Sequence, residues 1–146
     1  MNRLNLQYDI PDIKPGLSKT VQKNITEAEI MDLGRGSLKE LLATPALTAL
    51  MIESTISMIE PLLPEGYVTI GTCTTITYLN PTVLPATVTV VATLVEIEGR
   101  KLVFESMAFD EMGQIARGKH ERRIVNADHF MGAAHKRCDQ LKSILK

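Results

Sequence analysis

The sequence predicts an α+β fold in which a long buried helix is wrapped by a curved antiparallel sheet. Two observations lead there. Residues from Thr44 to about Leu62 carry apolar side chains around most of a helical circumference, and a helix apolar nearly all round is a buried one. Four Thr-, Val- and Ile-rich segments then follow, separated by short turns, and short turns make strand neighbours antiparallel. The chain of 146 residues, 45% hydrophobic and 23% charged, is long enough to bury a core as one domain over 1–146 without a disulfide or metal staple.

Residues Met1 to Gly16 form a polar lead-in interrupted by Pro11 and Pro15. Leu17 to Thr26 reads as a strand with Leu17, Val21 and Ile25 as its apolar members. Thr26-x-x-Glu29 and Ser37-x-x-Glu40 have the spacing of a capping box, so each opens a short helix. Gly34-Arg35-Gly36 between them is a loop, read as a bare turn rather than an anion nest. Thr44-Pro45 is the clearest helix start, with Thr44 as N-cap and proline in the first turn.

The stretch from Gly66 to Val95 carries no charge, and about thirty residues is long enough to span a bilayer. It is instead studded with Thr and broken by Asn80-Pro81 and Pro85, so it reads as two buried strands joined by a turn. Tyr67–Leu79, Thr87–Ile97, Lys101–Asp110 and Gln114–Val125 are the four expected strands, with tight turns at Glu98-Gly99 and Met112-Gly113. A helix over about 127–146 closes the chain. Phe130, Ala134, Leu141 and Leu145 lie on one of its faces, and cations gather in its C-terminal half.

Composition narrows the function. The net charge of −1 argues against a protein that lives on nucleic-acid backbone. Aromatic content of 4% with no Trp argues against a base-stacking platform. Cys73 and Cys138 form no C-x-x-C pair, and His120, His129 and His135 have no metal-ligand spacing, so no metal or cofactor is expected. The N-terminus lacks a basic region followed by an apolar stretch, and the expectation is a cytoplasmic protein. On the expected strands, Tyr78 shares parity with Val68, Ile70 and Ile76. Arg117, Lys119 and Arg123 share one face of the last strand, and His120 and Arg122 share the other.

The long helix within a curved sheet is the hot-dog architecture. Ala43-Thr44-Pro45-Ala46-Leu47-Thr48-Ala49-Leu50-Met51, then Gly71-Thr72, then Gly118-Lys119-His120-Glu121-Arg122 resemble the fluoroacetyl-CoA-thioesterase-like branch of the hot-dog thioesterases. The similarity runs from about Ile13 to Phe130. The resemblance implies a homodimer with an acyl-CoA site at the subunit interface, and a Thr, a Glu and a His acting together. Thr44 matches the Thr. Ile52 stands at the Glu position with Glu53 beside it, and Tyr78 stands at the His position. The expected function is thioester hydrolysis of a small acyl-CoA, or binding of such a ligand without turnover. Thr44 would position the reacting group, Glu53 would be the base and Tyr78 an orienting hydroxyl. Gly71, Thr72 and Arg122 would contact or support the substrate.

Overall fold

A computed structural model describes residues 4–30 and 40–145. The expected turn at Gly34-Arg35-Gly36 and the capping box from Ser37 lie outside them. In chain order come a single helical turn α1 (Leu6–Asp9), β1 (Ser18–Asn24), a 3-10 turn at Glu27–Glu29, and the long helix α2 (Thr44–Ile59), which continues as a 3-10 turn through Leu62. Then come β2 (Tyr67–Tyr78), β3 (Thr87–Glu98), β4 (Lys101–Asp110), β5 (Gly113–Asn126) and α3 (Ala127–Ile144). The five strands form one antiparallel sheet in the order β1-β3-β4-β5-β2.

That order corrects one expectation. β2 and β3 are not joined as neighbours: β2 sits at one edge, against β5, and β3 lies between β1 and β4. The reason is in residues 79–86. Pro81 and Pro85 lack the N–H groups a ladder needs, so this segment cannot close a hairpin. It pairs instead with the chain just before α2. Leu42 N–H donates to the Thr82 carbonyl at 2.9 Å, Leu84 N–H donates to the Glu40 carbonyl at 3.2 Å, and Leu41 bridges Val83. The crossing therefore fixes where α2 begins.

α2 lies across the inner face of the sheet and joins two parts of the core. Met58 and Ile59 pack with Leu94, Leu102, Phe104 and Ile124. Leu47 and Met51 pack with Ile25, Val88, Val90 and Ala108. Between these groups a row of small residues, Ala92, Ser106 and Gly118, runs across β3, β4 and β5. A Cβ placed on Gly118 would sit 2.9 Å from the Thr75 carbonyl oxygen and 3.5 Å from the Met51 sulfur, so the absence of a side chain there lets the helix press on the sheet. Ser54 and Thr55 of α2 are fully buried. Each hydroxyl donates to a carbonyl of its own helix, at Met51 and Ile52, which satisfies the polar atom without a partner from the sheet. The helix is less enclosed than its composition suggests, because Pro45, Ala49, Glu53 and Ser57 are exposed along its far side.

Candidate active site

The N-terminus of α2 differs from expectation in one residue. Ala43, in extended conformation, is the N-cap, and it offers no side-chain cap. Thr44 is the first helical residue, and its hydroxyl is not the cap. It lines a recess of about 150 Å³ with Leu41, Leu42, Tyr78, Leu79 and Asn80. Tyr78 reaches in from the last position of β2 and donates its hydroxyl to the Leu42 carbonyl at 3.5 Å. Burial pushes its pKa up to about 12, with the negative charge of Asp110 adding to the effect. Tyr78 is therefore a hydrogen-bond donor at neutral pH and not a base.

Glu53 lies elsewhere in the chain. It is exposed and borders a second recess, of about 240 Å³, lined also by Ile25, Ala46, Leu50, Lys23 and Glu29. The expected capping box at Thr26 organises one side of that recess. Thr26 N–H and hydroxyl both donate to one Glu29 oxygen, at 2.8 and 2.6 Å, and Lys23 Nζ lies 2.7 Å from the other. The hydrogen bonds from Lys23 and then Thr26 hold the Glu29 carboxyl down at about 2. One chain thus brings Thr44 and Tyr78 together and keeps Glu53 in a separate recess.

A third element lies beneath a bulge in β2. Gly71 pairs with Arg122 and Cys73 with Glu121, so Thr72 is an extra residue. An extra residue reverses which side chains face inward beyond it. Thr69 is buried before the bulge, and Ile76 and Tyr78 pack on the core after it. Val68 and Ile70 therefore do not share a face with Ile76 and Tyr78, contrary to the simple alternation. Thr72 itself is exposed, and its hydroxyl donates to the Glu121 carbonyl at 3.2 Å.

His120 and Arg122 project inward from β5 and are both about 5% exposed. Arg122 Nε donates to the Thr69 hydroxyl at 2.8 Å, one Nη donates to the Thr69 carbonyl at 2.9 Å, and the other faces His120 Nε2 at 3.1 Å. Arginine has no acceptor, so His120 Nε2 must accept. The ring proton then sits on Nδ1, which donates to the Cys73 carbonyl at 3.0 Å. Glu60 accepts from the Thr69 N–H and hydroxyl at 3.2 and 3.3 Å, so the buried cation meets its counter-charge through Thr69. Gly71 covers this cluster. A Cβ there would lie 3.2 Å from both an Arg122 Nη and His120 Cε1, so any side chain would crowd the guanidinium.

His120 is thus a buried member of a polar cluster with Arg122, and Thr69 and Glu60, which complete it, are not marked by any motif in the sequence. Inward parity with Arg122 on β5 was the available signal for His120. Burial, then the nearby Arg122 charge, lowers the His120 pKa below its ordinary 6.5. Below that value the unfolded chain binds a proton that the folded chain refuses, so acid favours unfolding. Between about pH 7 and about pH 5 the wild-type melting temperature should fall, and His120→Gln should lack this component. An identical fall in the variant would remove His120 as its source. The Glu29 contribution belongs to a lower window, lost as pH falls from 4.5 through about 2.

A long helix laid across a five-stranded antiparallel sheet defines the hot-dog fold. A hot-dog-like protein from Thermanaerovibrio acidaminovorans superposes with a TM-score of 0.84 at 25% identity, covering 92% of this chain and 97% of that one. Residues 25–128 match the fluoroacetyl-CoA-specific thioesterase family, and the chain belongs to that family. The fluoroacetyl-CoA thioesterase of Streptantibioticus cattleyicolor is 33% identical over 91 residues, which are 62% of this chain and 66% of that protein. A variant of a fluoroacetyl-CoA-specific thioesterase solved with fluoroacetate and CoA has a TM-score of 0.75 at 25% identity, covering 81% of this chain and 99% of that one. Among the described residues, no group of His, Cys, Asp and Glu could hold a metal ion, and no helix is long and apolar enough to cross a membrane.

Proposed function

We propose that the protein hydrolyses a small acyl-CoA thioester as a cytoplasmic homodimer. The observation that carries this reading is the pairing of Thr44 and Tyr78 in one recess at the N-terminus of α2, in a chain of the thioesterase family. Helix N–H groups and the positive dipole end favour the oxyanion that develops on the thioester carbonyl. The Tyr78 hydroxyl, held protonated, gives up its long bond to the Leu42 carbonyl to donate to that oxyanion, and Thr44 positions the reacting group. Water attacks the carbonyl carbon, a base takes its proton, the C–S bond breaks, and CoA leaves as a thiolate that is then protonated. Glu53 is the proposed base. Because it borders a different recess within one chain, it serves this role across the subunit interface. Gly71 and Thr72 form the substrate-facing backbone at the bulge, with Arg122 supporting them from below.

Thiol release from a panel of short acyl-CoAs tests this. Thr44→Ala should lower kcat/KM by roughly 10²-fold, the order of loss for one group aimed at a developing oxyanion. Glu53→Ala should fall in the range of about 10²–10⁴ for a lost base. Turnover that survives Glu53→Ala would move the chemistry away from that carboxylate. A wild-type protein that releases no thiol from any acyl-CoA would overturn hydrolysis. The second reading, a binding module without turnover, draws on Ile52, which cannot take a proton where the family resemblance places a Glu. CoA binding by calorimetry without thiol release would select it.

A further inference from the structure

Helix α3 leaves the sheet with its start fixed. Asn126 caps it by accepting from His129 N–H at 3.0 Å, and Ala127 N–H donates to the Gly66 carbonyl at 2.8 Å. Beyond that anchor every residue from Asp128 to Ile144 is exposed. In proteins most helical stability comes from packing an apolar face rather than from propensity, so α3 needs a surface to pack on. All of it beyond Asp128 also lies outside the residues that match the family.

The apolar pattern of α3 has its own period. Ala127, Met131, Ala134, Cys138, Leu141 and Leu145 follow one another in alternating steps of four and three residues. That is the mean repeat of 3.5 residues that forms a seam between two helices. The seam is open: Met131 is 48% exposed, Leu141 53% and Leu145 74%.

We propose that α3 pairs antiparallel with the α3 of a second copy of this chain. Antiparallel pairing centred between Ala134 and Cys138 sets Ala134 against the partner's Cys138. Met131 then meets the partner's Leu141, and Ala127 meets the partner's Leu145. The flanks agree with this direction. Asp128 comes beside the partner's Lys142 at both ends, and Phe130 beside the partner's Ile144. One like-charge contact, Arg137 against its own copy, opposes these two opposite-charge contacts. Parallel pairing has the reverse balance, because it brings Arg137 beside the partner's Lys142 twice and forms no opposite-charge flank pair. The helix dipoles also oppose one another only in the antiparallel arrangement.

Cysteine cross-linking reads this register directly. In a Cys73→Ser background, which removes the exposed thiol on β2, the two Cys138 residues of an antiparallel pair sit about 6 Å apart along the axis, on helices about 8–10 Å apart. They are out of disulfide reach. Mild oxidation with oxidised glutathione should leave that protein uncross-linked on a non-reducing gel. Adding Ala134→Cys should give a covalent dimer through the partner's Cys138. Adding Leu141→Glu to the cross-linking variant should abolish the covalent α3–α3 dimer while leaving the melting temperature of the fold unchanged, because Leu141 is exposed and belongs to neither core group. No cross-link with Ala134→Cys would overturn the proposal, as would equally efficient cross-linking through Cys138 alone, which marks a parallel pair. Failure to cross-link together with sedimentation on phosphatidylglycerol vesicles would overturn it and assign the helix to a lipid surface. None of these results depends on thioesterase activity.

Discussion

Replacing Arg122 with Met should destabilise the fold by about 3 kcal/mol, the order of cost for removing one member of a buried, hydrogen-bonded charge network. Methionine fills most of the same volume, so the loss does not come from a cavity. It comes from what remains behind. The Thr69 carbonyl and hydroxyl lose their donors at 2.9 and 2.8 Å, and His120 Nε2 loses the donor that fixes its tautomer. Glu60 keeps its bonds to Thr69 but loses the cation beyond it. Arg122→Lys should recover little, because one ammonium cannot reach three acceptors held in the geometry of a planar fork. Urea denaturation gives the numbers. A loss under about 1 kcal/mol would mean that water or Glu60 rearranges to satisfy the site, against the cost expected for unpaired buried groups.

The sequence already showed most of the elements, because each is marked by local chemistry. β4 matches its expected span of Lys101–Asp110, and α2 starts at Thr44 beside its proline. The Thr26 capping box is present with both of its hydrogen bonds. What remained hidden depends on relations between distant segments. The position of β2 beside β5 follows from the pairing of residues 82–84 with residues 40–42, which no local pattern reveals. The bulge at Thr72 leaves no mark in a run of Thr, Cys and Gly, yet it decides which side chains of β2 face the core. The candidate site divides the same way. Thr44 and Tyr78 share a recess because the crossing segment holds the start of α2 near the end of β2. Glu53 comes one residue after Ile52, where the resemblance implies a Glu, and it lines the recess that Lys23 and Glu29 also line, about 100° of helical rotation away from Ile52.

Phe104→Ala should have the largest effect on stability, about 3–5 kcal/mol, as expected for truncating a fully buried aromatic side chain. Phe104 is 0% exposed and belongs to the core group that Met58 and Ile59 of α2 close. Its ring also stands against His120, with centroids 6.4 Å apart and planes tilted by 30°. That contact joins the core to the buried polar cluster. Burial is the leading cause of the lowered His120 pKa, and Phe104 supplies part of it. Opening a cavity beside the imidazole should let water approach and move its pKa back toward 6.5. The variant should therefore lose stability at neutral pH and show a smaller further loss between about pH 7 and about pH 5 than wild type. Urea denaturation across that range measures both effects, and NMR titration of the His120 ring measures the second alone. A large loss of stability with an unmoved His120 titration would show that the helix and Arg122, rather than the Phe104 ring, keep water from the imidazole.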